Sequence, residues 1–122
     1  SPRKKPERVE GTLSCELPKL LVKKNDIHIT SKRNFDCFQD TELDMLLKRT
    51  LNVKNIIICG VNTDTCVYGT TFGASNRGYN PIVIECCTGS MRGEDQHQTA
   101  LKIMSQSIAW VMKKEEILTK LN

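Results

Sequence analysis

No stretch of this sequence approaches the eighteen or so consecutive apolar residues that a membrane-spanning helix needs. The opening Ser-Pro-Arg-Lys-Lys-Pro is polar and lacks the apolar core of a secretory leader. These absences predict a cytoplasmic protein with no membrane partner. Neither a Cys-x-x-Cys pair nor a Cys/His cluster at zinc-ligand spacing is present, so no metal is expected. The phosphate-cradling loop and the dinucleotide fingerprint are both missing, which speaks against nucleotides, and no cofactor is expected. The six cysteines, Cys15, Cys37, Cys59, Cys66, Cys86 and Cys87, lack regular spacing, and several fall inside apolar runs. They read as reduced thiols, by default inert and buried, rather than as a disulfide framework. The two histidines lie far apart in sequence, and His28, inside the strand-like Asp26 to Thr30, reads as a structural residue.

The net charge is +4, and the basic cluster Arg3, Lys4, Lys5 and Arg8 has no interleaved aromatic residue. Later charges of both signs are mixed, so no basic stripe forms and no nucleic-acid partner is expected. Residues 1–10 read as a polar basic tail or linker and residues 11–122 as one domain, since 122 residues suffice for a single core.

What is present is an alternation of strand and helix patterns. Ile27 to Thr30 reads as a short strand and 31–39 as a loop. A helix is expected to be capped by Asp40, with Leu43, Leu46, Leu47 and Leu51 as its apolar stripe. A strand over 55–59, rich in Ile and covered on both faces, leads into a helix over 64–77 that ends at Gly78. Pro81 to Cys86 is a third strand and Thr88 to Gly93 a loop. The next helix places Ala100, Ile103, Met104 and Ser107 on one side. Ile108 to Met112 is a last strand before a terminal helix over 115–121. Such alternation predicts right-handed crossovers and a three-layer α/β/α domain with a mostly parallel sheet.

In such sheets ligands bind beyond the carboxyl ends of the strands. Cys66 falls there, after the turn permitted by Gly60 and after Thr63, Asp64 and Thr65, all good N-cap residues. Free N–H groups and the helix dipole at that position favour a thiolate. Read from the residues alone, Cys66 is either a nucleophile or a packed thiol. No histidine lies near it in sequence, and Lys32, beyond the first strand candidate, is either the cation that supports it or half of a solvated pair with Arg33.

Three blocks resemble one family in order: Lys32-Arg-Asn-Phe-Asp-Cys-Phe-Gln-Asp-Thr-Glu-Leu43, Gly60-Val-Asn-Thr-Asp-Thr-Cys-Val-Tyr-Gly-Thr70, and Ala74-Ser-Asn-Arg-Gly-Tyr79 with Pro81 to Cys87. Gly11-Thr12 with Glu16-Leu17 adds a fourth, weaker match. Together they are similar to the isochorismatase-like cysteine hydrolases, which include nicotinamidase, N-carbamoylsarcosine amidase and ureidoacrylate amidohydrolase. The resemblance implies an isochorismatase-like, Rossmann-like fold. It further implies Cys66 as nucleophile, Lys32 as the lysine of an Asp-Lys-Cys triad, and a cis peptide between Val61 and Asn62. The backbone N–H groups of Asn62 and Cys66 would form the oxyanion hole. The implied reaction is hydrolysis of the C–N bond of a small amide or ureido compound through a thioester, without a cofactor. Isochorismate itself is not the expected substrate, because Cys66 is present where that branch typically lacks it.

Two departures stand out. Asp36 occupies the place where the family usually has Ser, and the apolar strand ending Asp-x-Gln, which supplies the triad aspartate, is not found. Asp26, Asp36, Asp40 and Asp64 belong to the wrong blocks. The chain matches the carboxyl-terminal two-thirds of the domain, with its amino-terminal strands missing and a central sheet edge open. The expectation is a chain inactive alone, completed by a separate amino-terminal segment that supplies the aspartate or by a homo-oligomer. The alternative is a catalytically incomplete interaction module on the same scaffold.

Overall fold

The computed structural model describes residues 18–121; the tail over 1–10, Cys15 and the short match at Gly11-Thr12 and Glu16-Leu17 lie outside them. After a 3-10 turn at Lys19–Leu21, the regular elements are α1 (Leu43–Met45, continued as a π-helix over Leu46–Thr50), β1 (Asn55–Val61), α2 (Cys66–Asn76), β2 (Asn80–Gly89), α3 (Glu94–Ser107), β3 (Trp110–Met112) and α4 (Lys114–Leu121). The three strands form one sheet in the order β1-β2-β3, and both pairings are parallel. This is the expected α/β architecture of a parallel sheet flanked by helices.

Strand alternation sorts the side chains of the sheet. Ile58 and Val83 face the layer made by α2 and α3, where they pack with Val67, Ala100, Leu101 and Met104. Val83 and Met104 are completely enclosed, and each contributes on the order of 1.5–3 kcal/mol by leaving water. The α3 stripe is His97, Ala100, Leu101 and Met104. Ile103 and Ser107, expected on that face, are exposed instead. A second cluster joins Phe38, Ala74 and Tyr79, with Leu43, Leu47 and Val53 against it. Leu51 leaves the α1 stripe and is 47% exposed, because the wider π turn rotates the last position away from the core.

The structure corrects several sequence expectations. Ile27 to Thr30 is not a strand: no neighbouring strand pairs with it among the described residues, and an extended segment without a ladder partner does not persist as sheet. His28, within it, is exposed. Asp40 does not cap α1; its φ of 55° places it in a left-handed turn. The N-cap position is Glu42, which makes no side-chain capping bond, while Leu43 N–H bonds the Thr41 hydroxyl at 3.3 Å. Of the expected N-caps of α2, Thr65 occupies the position but makes no side-chain capping bond.

Nor is β1 covered on both faces. Ile57 is 44% and Val61 62% exposed, because β1 is an edge strand and only its Ile58 side is roofed by α2 and α3. Ile57 pairs with Ile82, which pairs with Trp110, itself 66% exposed, so an apolar row crosses the sheet on the less covered face. Finally, β2 extends to Gly89, three residues past the expected end, and its register against β1 slips between Ile58 and Gly60. Cys59, Cys86 and Cys87 gather at that slip and are exposed rather than buried.

Candidate active site

Cys66 is the first residue of α2. The approach to it is built in four steps. Gly60 takes a φ of 129°, a conformation that a side chain disfavours. The Val61–Asn62 peptide bond is cis. Thr63–Thr65 make a turn, and the Asn62 carbonyl then accepts N–H bonds from Thr65 and Val67, both at 3.1 Å. Among the described residues that carbonyl skips the Cys66 N–H between them, which stays in the unsatisfied first turn of the helix beside its own thiol.

The segment after β2 fastens this turn residue by residue. Thr63 N–H bonds the Gly89 carbonyl at 3.0 Å, and Met91 N–H bonds the Asn62 side-chain oxygen at 2.9 Å. Ser90 Oγ donates to Asp64 Oδ1 at 2.7 Å, and Arg92 Nη1 reaches Asp64 Oδ2 at 3.1 Å. The Ser90 hydroxyl, and after it Arg92, hold the Asp64 carboxyl below the usual carboxylate range. From beneath, the buried His97 Nδ1 meets the buried Thr63 Oγ1 at 2.6 Å.

Lys32 is half-buried, in irregular chain leading to a loop that docks along α2. Cys37 N–H bonds Thr70 Oγ1 at 3.0 Å, and Thr70 Oγ1 in turn donates to the Phe35 carbonyl at 3.3 Å. Asp36 lies over Gly73, where a Cβ would collide with its carboxylate, and pairs with Arg77 at 3.5 Å. Gly69, Thr70, Gly73 and Arg77 follow Cys66 at helical spacing on one side of α2, so the loop lies along the stripe headed by the thiol. Two residues, Arg33 and Asn34, separate Lys32 from Phe35, and the three steps of chain span up to about 10 Å. Among the described residues no hydrogen bond or ion pair joins Lys32 to Cys66; the fold brings their segments together without linking the side chains.

Three of the aspartates are engaged elsewhere. Asp36 receives Phe38 N–H at 2.8 Å as well as Arg77, Asp44 receives the Tyr79 hydroxyl at 2.7 Å, and Asp64 is held as above. No carboxylate among the described residues is bonded to Cys66 or Lys32. A polar cavity of about 420 Å³ opens between β2, α3 and α4, lined by Glu85, Thr88, Glu94, His97, Lys113 and Glu115 among others. Neither Cys66 nor Lys32 lines it, so it is separate from the thiol. Among the described residues no group of three or more acids, histidines or cysteines is placed to hold a metal ion.

Sequence reasoning missed the Thr63–His97 pair and the Asp36–Arg77 latch. The first had a usable signal, because His97 shares its helical stripe with Ala100, Leu101 and Met104. The second had none, since Asp36 and Arg77 meet only once the loop has folded onto α2.

A parallel sheet flanked by helices, with Cys66 heading the helix that follows a cis turn, defines a domain of the Rossmann-like α/β class. The Isochorismatase domain model matches residues 3–116, and the chain belongs to the isochorismatase family. The isochorismatase family protein YecD of Escherichia coli O157:H7, itself uncharacterized, is 32% identical over 97 residues, covering 80% of this chain and 50% of its own length. An isochorismatase-like hydrolase from Alkaliphilus metalliredigens superposes with a TM-score of 0.85 at 27% identity, over 93% of this chain and 61% of its own. A nicotinamidase from Staphylococcus aureus superposes with a TM-score of 0.62 at 36% identity, over 66% of this chain and 49% of its own. The chain spans about half the length of the curated relatives it matches.

Proposed function

We propose that the chain carries the nucleophile half of a cysteine hydrolase that cleaves the C–N bond of a small amide or ureido compound. The observation that carries this reading is Cys66 at the head of α2 with its N–H skipped by the Asn62 carbonyl. The thiolate adds to the substrate carbonyl, and the oxyanion is held by the backbone N–H groups of Asn62 and Cys66. The amine leaves after protonation, and water hydrolyses the thioester. In this reading Lys32 supplies the cation that supports the thiolate. The nicotinamidase likeness supports an amide substrate. The triad aspartate then comes from a separate amino-terminal segment or from a second copy in a homo-oligomer, and the working compartment is the cytoplasm.

The test is competitive alkylation with iodoacetamide near neutral pH. Cys66 labelling at least ten-fold faster than Cys37 supports the enzyme, and Lys32→Ala should slow it. A Cys66 no faster than Cys37 favours the rival, an interaction module on an incomplete hydrolase scaffold. That rival has its own support in the exposed row of Ile57 and Trp110 beside the open β1 edge. Turnover of an amide by the chain alone at ordinary enzyme rates would refute the requirement for a second segment.

A further inference from the structure

Where β2 passes the end of β1 its two-residue alternation breaks. Ile58 pairs with Val83 and Gly60 with Thr88, so the four residues Ile84 to Cys87 stand opposite the single residue Cys59. The excess chain is gathered by the Thr88 hydroxyl, whose proton is shared between the carbonyls of Ile84 at 3.2 Å and Glu85 at 3.0 Å. In a regular strand neighbouring side chains point to opposite faces of the sheet, which keeps two adjacent cysteines apart. Inside this bulge Cys86 and Cys87 come together, with their sulfurs 4.0 Å apart, and both are exposed. Cys86 also lines the polar cavity beside Glu85 and Thr88, so small molecules in solution reach the pair. Neither thiol belongs to the machinery assigned around Cys66.

Two sulfurs at this separation suit one bridging atom better than a bond to each other. A disulfide requires them to close to about 2.05 Å. Two bonds of about 2.3 Å from one central atom, the length of a zinc–thiolate bond, span the 4.0 Å already at an angle of about 120°. A zinc ion takes four ligands, and among the described residues no group of three or more acids, histidines or cysteines is placed to hold a metal. The centre that fits is therefore soft and satisfied by two thiolates. We infer that Cys86 and Cys87 form a vicinal-dithiol site that captures trivalent arsenicals, a modification site distinct from Cys66. Each thiol gives up its proton, and the arsenic–oxygen double bond of a compound such as phenylarsine oxide is exchanged for two arsenic–sulfur bonds. The oxygen leaves with both protons as one water, and arsenic stays trivalent, so no oxidant or reductant takes part. The second bond is intramolecular, which strengthens binding by about 10²–10⁴-fold over a single thiol. The bridge lies just before Gly89, whose carbonyl holds Thr63 N–H, so it fixes the bulge at the root of the nucleophile turn.

The experiment incubates the reduced full chain with equimolar phenylarsine oxide in excess 2-mercaptoethanol, which strips arsenic from single thiols, and counts adducts by native mass spectrometry. After the monothiol is removed, free cysteines are blocked with N-ethylmaleimide, the arsenic is withdrawn with 2,3-dimercaptopropanol, and the released thiols are labelled with iodoacetamide. The expected result is a single phenylarsenic group on the chain, with both iodoacetamide labels on the tryptic peptide 78–92. Binding should persist in Cys59→Ser and Cys66→Ser and weaken at least ten-fold in Cys86→Ser and in Cys87→Ser. A chain that retains no arsenic, labels divided between 78–92 and another peptide, binding lost in Cys59→Ser or Cys66→Ser, or binding kept within ten-fold in Cys86→Ser or Cys87→Ser would overturn the assignment. Because labelling of the unaltered chain locates the bridge, the result depends neither on how a variant folds nor on whether the chain hydrolyses any amide.

Discussion

Thr63 Oγ1 and His97 Nδ1 approach to 2.6 Å inside the protein, although 34 residues separate them in sequence. Thr63 is completely enclosed and His97 is 5% exposed, so each depends on the other for its polar partner. The contact pins the turn between β1 and α2, and therefore the start of the helix that presents Cys66, to the first turns of α3.

Removing one partner strands the other. His97→Ala or Thr63→Val should each cost about 1–3 kcal/mol in urea unfolding, the range for a buried polar group left without its bond. The double variant Thr63→Val/His97→Leu should cost less than the two singles together. Strict additivity would show that the two side chains are not coupled.

The glycines of α2 separate packing from propensity. A Cβ at Gly69 would sit in ordinary contact, 3.5 Å from Phe35 and Asp36, so Gly69→Ala should raise stability by about 0.5–1 kcal/mol through helix propensity. Gly73→Ala should instead lower it by about 1 kcal/mol, because the new methyl evicts the Asp36 carboxylate from Phe38 N–H and Arg77. Combining Asp36→Ser with Gly73→Ala should restore the propensity gain. Thermal midpoints of the three variants decide the matter.

Asp64 makes the nucleophile turn sensitive to acid. Its carboxyl is held below the ordinary range by the Ser90 hydroxyl and then by Arg92, so its contribution is complete above the unfolded carboxylate pKa and is lost as the pH falls through the lower folded value. Urea midpoints should fall on that acidic side in the native chain, and by less in Asp64→Asn. Equal acid dependence in the two proteins would remove Asp64 from this role.

Tyr79 acts at the other end of the scale. Burial, reinforced by the hydrogen bond to Asp44, pushes its phenol up to about 12. Its stabilising share is therefore fully present below pH ~10, the unfolded value, and disappears as the pH rises through the folded one. An ultraviolet tyrosinate titration of the native protein should leave one phenol protonated past about pH 11. Tyr79→Phe should lose that late step and about 1 kcal/mol of stability.

The alternation of apolar runs, Gly60, and the polar turn ahead of Cys66 were enough to place β1, α2, β2 and α3 and to put the thiol at a helix start. These signals are local: burial periodicity and turn chemistry act over a few residues and are written in adjacent positions. What the sequence could not give was any property that depends on a partner distant along the chain. Ile27 to Thr30 has strand chemistry but no neighbour to pair with, and Leu51 has the right spacing but a π turn ahead of it. His97 looked solitary until α3 brought it to Thr63. Asp36 met Arg77 only when the loop closed over Gly73, and four residues of β2 came to face Cys59 only when the register slipped. The chain by itself determined the order of the elements and the identity of the nucleophile candidate, because propensity and periodicity are short-range. Tertiary structure alone decided which polar side chains hold the turn around it and which thiols meet, because those contacts exist only after packing has brought separate segments together.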